Sequence, residues 1–314
     1  MSTVSEAPSR SAAGSRGPGG SRVRARLARV PRAAWFGWGG VALGLLALYV
    51  TLPPILLRET IGTIAVLTLN RVEARNSLSE AMIAELHAAL NDIRDDKAVR
   101  ALVIAANGPA FSAGHDMKEL TARRSDADHG RAYFGMIMNA CSAMMQAIVH
   151  LPKPVVASVQ GIATAAGCQL VASCDLAVAS EEASFATPGV DIGLFCSTPM
   201  VALSRNVPRK QAMEMLLTGE PVRAHAARDI GLVNHVVPAG QERAAAIALA
   251  QKVALKSAYT VKLGKEAFYR QAEMSLADAY RYTAEVMVDN MLARDAEEGI
   301  GAFIEKRDPH WSGE

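Results

Sequence analysis

Four short apolar runs recur along the chain, and stretches with helical periodicity separate them. The runs cover residues 63–69, 101–106, 155–159 and 176–179. None of them carries a charge, and their apolar residues mostly follow one another instead of alternating with polar ones. Continuous apolar runs of this length are typical of strands that are covered on both faces, as in a parallel sheet. The sequence therefore predicts a layered α/β fold with buried parallel strands.

The segment after the first run predicts an amphipathic helix. Ser77 and Glu80 have the spacing of a capping box, the pair of side chains that often starts a helix. The apolar residues that follow recur every three or four positions: Met82, Ile83, Leu86, Leu90 and Ile93. This spacing places them on one face of a helix that ends near Arg94.

Beyond Pro238 the pattern predicts helices only. The helical stretches cover residues 242–256, 260–270, 276–292 and 300–306. We therefore expect an α/β core over residues 58–238 and a helical region over residues 239–314.

The first 57 residues differ from the rest of the chain. Residues 1–32 hold seven Arg and one Glu and have no apolar period, so we expect a disordered, Arg/Ser-rich leader. Residues 33–57 carry no charge, and Pro53-Pro54 would end a helix near Leu52. Residues 33–52 would then form a transmembrane helix of about 30 Å. An organellar presequence and an upstream start codon are the alternatives to such an anchor.

Charge and cysteine content argue against several functions. The net charge is +2, and because residues 1–32 alone contribute +6, the remaining chain is mildly acidic. It shows no basic face interleaved with aromatic residues, so nucleic acid is not an expected partner. The four cysteines have neither metal-ligand spacing nor a CxxC pair, which favours buried structural thiols in a reducing compartment and no metal site.

Two turns of small residues follow two of the predicted strands. The first contains Gly114 and the second contains Gly161 and Gly167. A turn between a strand and a helix leaves backbone N–H groups without partners at the start of the helix. Two such N–H groups could form an oxyanion hole, although many α/β proteins use the same turns only for packing.

Four segments resemble, in the same order, the crotonase (enoyl-CoA hydratase/isomerase) superfamily. They are FSAGHDMKEL at 111–120, LPKPVVASVQGIATAAGCQLVASCDLAVAS at 151–180, SFATPGVDIGL at 184–194 and FIEKRDPHW at 303–311. The resemblance covers residues 55–311. It implies a spiral of ββα units whose C-terminal helical region packs at the trimer interface of a homotrimer or hexamer. It also implies an acyl-CoA thioester as substrate, with no separate cofactor because coenzyme A is part of the substrate.

The resemblance also implies site residues. The backbone N–H groups of His115 and Ala166 would hold the thioester oxygen, with Ala166 at the middle position of the family's Gly-Gly-Gly run. A position in this turn that needs a positive φ would be strained with Ala. The imidazole of His115 could join the chemistry, or only its N–H could matter. The residues expected to bind CoA are Ala74, Arg75, Ala113, Asp116, Met117 and, from a neighbouring subunit, Lys306.

The chain departs from the family at its two catalytic glutamates. Gln169 and Gly189 stand at those positions. Gln can hydrogen-bond a water but cannot accept a proton at neutral pH, and Gly has no side chain. Asp191 could substitute if its segment is extended, because side chains then return to the same side every second residue. Gln169 and Asp191 are therefore the candidate side chains for catalysis.

The function expected from these residues is that of a crotonase-superfamily enzyme of fatty-acid metabolism, nominally an enoyl-CoA hydratase, with weakened or altered hydration. The alternatives are an isomerase, a thioesterase, an acyl-CoA binder without activity, and a membrane-tethered interaction protein. Membrane contact would involve only residues 33–52. The arginines before this segment would place the body across the membrane from the cytosol. Because CoA esters are kept in the cytosol or an organellar matrix, we expect a cytoplasmic protein, with the mitochondrial matrix or a membrane anchor as alternatives.

Overall fold

The computed structural model describes residues Pro53–Glu314. The predicted leader and most of the predicted membrane segment therefore lie outside the described residues. The last residues of the hydrophobic segment, 53–57, are among the described residues. The first strand begins at Leu56, two residues before the expected start of the core.

Two sheets form the centre of the protein. The strands are β1 Leu56–Ile61, β2 Ile64–Leu69, β3 Ala101–Ala106, β4 Ala110–Ser112, β5 Val155–Val159, β6 Ile162–Thr164, β7 Leu176–Ser180, β8 Ser184–Ala186, β9 Val222–Arg223 and β10 His235–Val237. The larger sheet has six strands in the order β1-β2-β3-β5-β7-β10, and the smaller has the order β4-β6-β8-β9. In the larger sheet only β1 is antiparallel to its neighbour, so the predicted parallel arrangement is confirmed.

Each central strand of the larger sheet is followed by a short strand of the smaller one. The pairs β3–β4, β5–β6 and β7–β8 repeat this arrangement, and helical segments follow each pair. This is the expected spiral of ββα units. The helices are α1 Glu80–Asp95, α2 Met117–Ala122, α3 Arg131–Val149, α4 Ala166–Ser173, α5 Ser197–Asn206, α6 Arg209–Thr218, α7 Ala224–Asp229, α8 Glu242–Ala254, α9 Ala258–Gln271, α10 Leu276–Leu292 and α11 Arg294–Glu305.

Both faces of the larger sheet are covered, which explains its uninterrupted apolar strands. Leu102 and Ile104 of β3 enter the larger core, together with the buried faces of α1 and α3. Ala101 and Val103 of the same strand enter a smaller core on the opposite face, which α8 covers with Ala246 among others. Successive side chains of a strand point to opposite faces, so a strand between two cores needs apolar residues throughout.

Helix α1 has the predicted apolar face, but its cap differs from the prediction. The side chain of Ser79 accepts the backbone N–H of Met82 and is the N-cap. Ser77, predicted as the cap, instead accepts a hydrogen bond from Arg71 at 2.9 Å. The turn before the helix is longer than the capping-box pattern assumes.

Among residues 53–314, one helix is long and apolar enough to cross a membrane when judged by length and composition alone. This is α3, whose apolar face, including Ile137 and Ile148, is buried in the larger core. A core helix passes the same test of length and composition.

The C-terminal region is helical, as predicted, and a buried ion pair holds it to the sheet. Lys265 of α9 lies 2.7 Å from the carboxylate of Asp175, which precedes β7. The hydroxyl of Tyr269 donates to the same carboxylate at 2.9 Å. Helices α10 and α11 leave large apolar side chains exposed: Leu276, Tyr280, Met287, Val288, Met291, Leu292, Ile300, Phe303 and Ile304.

Candidate active site

The two glycine turns predicted from the sequence are in contact. Gly114 has φ +83°, and a Cβ at this position would lie 3.0 Å from Cβ of Ala165 and 3.2 Å from the backbone N of Ala166. A Cβ on Gly167 would lie 2.3 Å from the carbonyl oxygen of Ser112. The missing side chains therefore allow the backbone of one turn to pack directly on the backbone of the other.

This contact brings together the two predicted N–H donors. In the first turn, Leu78 donates to the carbonyl of Gly114 at 2.7 Å and accepts the N–H of Asp116 at 3.4 Å. In such a parallel bridge the N–H of His115 faces away from Leu78. Ala166 is the first residue of α4, where an N–H has no acceptor within the helix. Within the described part of the chain, neither N–H donates to a backbone carbonyl.

The strain expected for Ala in the second turn falls on Ala165, one residue before the donor. Ala165 has φ 51° and ψ −116°, a conformation that non-glycine residues rarely adopt. Its own N–H donates to the carbonyl of Ala186 at 2.9 Å, and its carbonyl accepts the N–H of Gln169 at 3.0 Å. These bonds hold the turn although Cβ disfavours it, while Ala166 has the ordinary backbone of a helix start.

We expect Ala165→Gly to raise the free energy of unfolding by about 1 kcal/mol, because about 1–3 kcal/mol of strain is released against about 0.5–1 kcal/mol of added chain entropy. The matched variant Ala166→Gly removes the same methyl group from an unstrained position. It should lower the free energy of unfolding by up to about 1 kcal/mol. Urea denaturation of both variants measures the difference, and a change of the same sign in both would contradict the assignment of strain to Ala165.

The side chains of His115 and Gln169 hold buried polar atoms without hydrogen-bond partners. Both ring nitrogens of His115 and Oε1 of Gln169 lack a partner among residues 53–314. Burial lowers the pKa of His115, and the nearby carbonyl of Leu78 only partly opposes this effect, so the imidazole is neutral at neutral pH. Buried polar atoms are nearly always satisfied in native proteins, so these atoms can bind a polar group from outside the chain.

The structure leaves no room for a side chain at Gly189. A Cβ there would lie 2.7 Å from the carbonyl oxygen of Leu194 and 3.0 Å from Sγ of Cys196. Gln169 is 5% exposed on α4, three residues after Ala166 and thus on the same side of the helix. Of the two positions at which the resemblance implies a catalytic glutamate, only residue 169 has a side chain.

Asp191 does not have the backbone that its predicted role requires. It lies in a 3-10 helix, Pro188–Ile192, so the alternation of an extended segment does not apply. Its carboxylate oxygens lie 3.1 and 3.3 Å from the position of a Cβ on Gly219, the residue that ends α6. The structure thus places this exposed carboxylate beside the end of α6.

The residues expected to bind CoA are only partly brought together within one chain. The carbonyl of Arg75 accepts the N–H of Ala113 at 3.0 Å, so Ala74 and Arg75 lie beside the first turn. Met117 begins α2, and its side chain is exposed. Lys306 follows α11 in the C-terminal region and is exposed.

Asp116, expected to bind CoA, is part of a hydrogen-bond network that holds the first turn. Arg71 donates to its Oδ2 at 2.6 Å, and the hydroxyl of Ser77 lies 3.4 Å from the same oxygen. Its Oδ1 accepts the N–H groups of Lys118 and Glu119 at the start of α2. Burial alone would raise the pKa of Asp116, but the bonds from Arg71 and from the two N–H groups hold the pKa below its ordinary value.

The stability contributed by Asp116 should therefore depend on pH. Because its pKa is lowered in the folded state, this stability is present above the unfolded pKa, about 3.9, and is lost as the pH falls through the folded pKa. We expect Asp116→Asn to be less stable than wild type at pH 7 and the difference to shrink below about pH 4. Urea denaturation at pH 7 and pH 3 measures this. The control Asp126→Asn, at an exposed position, should show the same small difference at both pH values.

Asn76 is a structural residue of the site that the sequence did not indicate. Its amide nitrogen donates to the carbonyls of Asn107 and Ala110, at 2.8 and 2.9 Å. Its Oδ1 accepts the N–H of Arg71 at 2.9 Å, and its φ is +52°. Asn tolerates this conformation better than most residues, and the resulting bonds join two loops far apart in the sequence.

The cysteines are buried and unpaired throughout the described chain. Burial raises the pKa of Cys141 and of Cys168 to about 12. Thiols with such pKa values are protonated and inert at neutral pH, in agreement with a structural role.

Comparison with known proteins identifies relatives over most of the chain. Residues 59–314 match the family model described as enoyl-CoA hydratase/isomerase. A protein of Xenopus laevis named "enoyl-CoA hydratase domain-containing protein 3, mitochondrial" is 50% identical over 244 residues, which cover 78% of this chain and 81% of that protein. The Homo sapiens protein of the same name is 48% identical, over 79% of this chain and 80% of its own.

Solved structures show the same fold. An enoyl-CoA hydratase of Mycobacterium smegmatis matches with a TM-score of 0.78 and 49% identity, over 82% of this chain and 99% of that one. Human enoyl-CoA hydratase domain-containing protein 3 matches with a TM-score of 0.78 and 46% identity, over 82% of this chain and 100% of that one.

Proposed function

The chain belongs to the enoyl-CoA hydratase/isomerase family, and we propose that it binds an acyl-CoA thioester and stabilises negative charge on the thioester oxygen. The observation that carries this proposal is the contact between the two turns. It places the N–H of Ala166 beside the turn that carries the N–H of His115, and neither has a backbone acceptor among the described residues.

Both donors would act on the same oxygen. As an enolate or a tetrahedral species forms, charge develops on the thioester oxygen, and fixed N–H donors stabilise that charge without having to reorganise. Ala166 also begins α4, so the positive end of that helix dipole favours an anion at the same place.

Hydration needs a group that takes a proton from water, and Gln169 and Gly189 do not supply one. Loss of a general acid or base costs typically about 10²–10⁴-fold in rate. We therefore propose that the site performs thioester chemistry other than ordinary hydration, with isomerisation and thioester cleavage as the candidate reactions. Both reactions also need a group that accepts a proton, from carbon in isomerisation and from water in thioester cleavage. The neutral imidazole of His115 is our candidate for that group, beside the backbone N–H of the same residue.

A second candidate function is acyl-CoA binding without turnover. It is favoured by Gly189, where the backbone of Leu194 and Sγ of Cys196 fill the space that a catalytic side chain would need. The oxyanion-hole donors would then contribute to affinity for the thioester and not to rate.

The test combines turnover with binding on the full-length chain. Crotonyl-CoA is added while the absorbance of the enoyl thioester is followed, and a non-hydrolysable acyl-CoA is titrated by calorimetry in parallel. Binding with hydration near the uncatalysed rate is the expected result. Ordinary hydratase turnover would show that another group replaces the glutamates, and absence of binding would overturn the acyl-CoA proposal.

We also propose that the chain forms a homotrimer, or a hexamer of two trimers, through the exposed apolar residues of α10 and α11. Phe303 is 84% exposed and Ile304 72% exposed, although both are large and apolar. Such side chains are rarely left in water in contiguous groups. Phe303→Asp should shift the mass measured by light scattering from the oligomer toward the monomer. The control Phe268→Asp, on α9, should leave the mass unchanged.

The names of the relatives favour the mitochondrial matrix, one of the alternative locations. The Xenopus laevis and Homo sapiens proteins are both named mitochondrial. The comparisons give no support to the cytoplasmic expectation, so we propose the mitochondrial matrix. Residues 1–52 fused to a fluorescent protein test this, because import would require them to act as a presequence.

A further inference from the structure

Six cationic side chains line one cavity of 490 Å³ in the described part of the chain. They are Arg94, Lys97, Arg100, Lys153, Lys256 and Lys262. They come from the end of α1, from the segments that precede β3 and β5, and from the segment around the start of α9. The proposed acyl-CoA site uses none of them.

Carboxylates do not neutralise these charges. Within residues 53–314, none of the six takes part in an ion pair, whereas nine other basic residues do. The hydrogen bonds that these side chains donate go to uncharged oxygens. Arg94 donates to the side-chain amide of Asn91, Arg100 to the carbonyl of Lys256, and Lys153 to the carbonyls of Ile93 and Asp96.

The nearby acidic groups are few and mostly engaged elsewhere. Among the described residues that line the cavity, Glu314 is the one acidic residue. Its carboxylate lies 3.6 Å from the guanidinium of Arg294. Asp96 and Asp95 both act on Lys153 from nearby, and Asp96 pairs with Arg58 at 3.3 Å. The cavity therefore holds an excess of positive charge, and a concave surface concentrates the resulting potential.

The cavity and the candidate active site lie at opposite edges of the sheet. Arg100 immediately precedes β3, and Pro154 immediately precedes β5. The turns with His115 and Ala166 come after the other ends of the same strands. The lengths of strands β3 and β5, six and five residues or about 17–20 Å, therefore lie between the cavity and the chain segments that lead to the two turns.

We propose that this cavity binds a small anion with two or more phosphate groups, of the polyphosphate class. Its volume is in the range of small-molecule sites, about 300–1,000 Å³. Backbone carbonyls already hold the head groups of Arg100 and Lys153, so little side-chain entropy is lost when an anion binds. Lys97, Lys256 and Lys262 are exposed at the margin, where ammonium groups can adjust to a second phosphate.

Pyrophosphate is the probe for the test, titrated by calorimetry into the full-length chain. Because CoA itself contains a pyrophosphate, each titration is run with and without a saturating non-hydrolysable acyl-CoA. The cavity variant is Lys97→Gln/Lys256→Gln/Lys262→Gln, which changes exposed residues whose side chains hold no other segment. The control variant Arg209→Gln/Lys210→Gln/Arg223→Gln removes the same charge from exposed positions outside the cavity. Circular dichroism confirms that each variant is folded.

The expected result is saturable binding of one pyrophosphate per chain that persists with acyl-CoA present. The cavity variant should weaken it by about tenfold or more, and the control by less than about twofold. No saturable binding, an equal loss in both variants, or complete displacement by acyl-CoA would overturn the proposal. The titration without acyl-CoA remains informative if the chain binds no CoA ester, so the two proposals can fail separately.

Discussion

Gly167→Ala should lower the free energy of unfolding by about 2–3 kcal/mol and weaken acyl-CoA binding at least about tenfold. The new Cβ would lie 2.3 Å from the carbonyl oxygen of Ser112 and 2.8 Å from its Cβ. Because the nearest obstacle is backbone, a change of rotamer cannot relieve the clash. The two turns must move apart, and the N–H of Ala166 moves away from the N–H of His115.

The measurement is urea denaturation beside a titration with a non-hydrolysable acyl-CoA. Gly135→Ala is the matched control, because Gly135 lies within α3 and a Cβ there would meet nothing within 4 Å. That variant should gain about 0.5–1 kcal/mol in stability, since Ala is the better helix former. Unchanged acyl-CoA affinity in Gly167→Ala would show that the contact between the turns does not organise the site.

Replacing Ala166 by Pro should remove one donor of the oxyanion hole while the helix stays intact. Pro is well tolerated at the first position of a helix, where its missing N–H has no helical acceptor. Pro restricts the backbone conformation of the residue before it, here Ala165. The substitution is therefore made together with Ala165→Gly, because Gly tolerates the most conformations, and is compared with Ala165→Gly alone. Any thioester turnover should fall by about 10²–10³-fold, and ground-state affinity by about tenfold.

Turnover and affinity are measured in both backgrounds, with stability by denaturation. The control Arg294→Pro places Pro at the first position of α11, where the preceding Ala293 has ψ 144°, as Pro requires. It should leave affinity for acyl-CoA unchanged. If Ala166→Pro also leaves affinity and turnover unchanged, the N–H of Ala166 does not contact the thioester.

The fold could be predicted from the sequence because its main signal is local. Strands β3 and β5 have the predicted bounds, since a strand between two cores carries apolar residues from end to end. The predicted N-cap of α1 was wrong because Asn76 fixes the turn before the helix. Asn76 does so through hydrogen bonds to Asn107 and Ala110. Contacts between residues 31 and 34 positions apart leave no periodic pattern in the sequence.

The site could be predicted only as far as its glycines reveal it. Gly114 and Gly167 indicated turns with exposed donors, and the structure shows that these turns are in contact. The backbone strain at Ala165 and the 3-10 helix that contains Asp191 depend on neighbouring residues from other loops. The cationic cavity combines residues from positions 94 to 262, each of which is an ordinary surface charge in the sequence.

The packing around Gly189 also bears on how two carboxylates could be introduced at the site. The single substitution Gln169→Glu would place a carboxylate at residue 169 without repacking, because Gln and Glu have nearly the same shape. At residue 189, any side chain would first require the loop that carries Leu194 to retreat from a backbone contact of 2.7 Å. A substitution at residue 189 should therefore lower the free energy of unfolding, whatever chemistry the new side chain could supply. A second carboxylate at residue 189 would therefore need a change in the surrounding loop as well as in residue 189 itself.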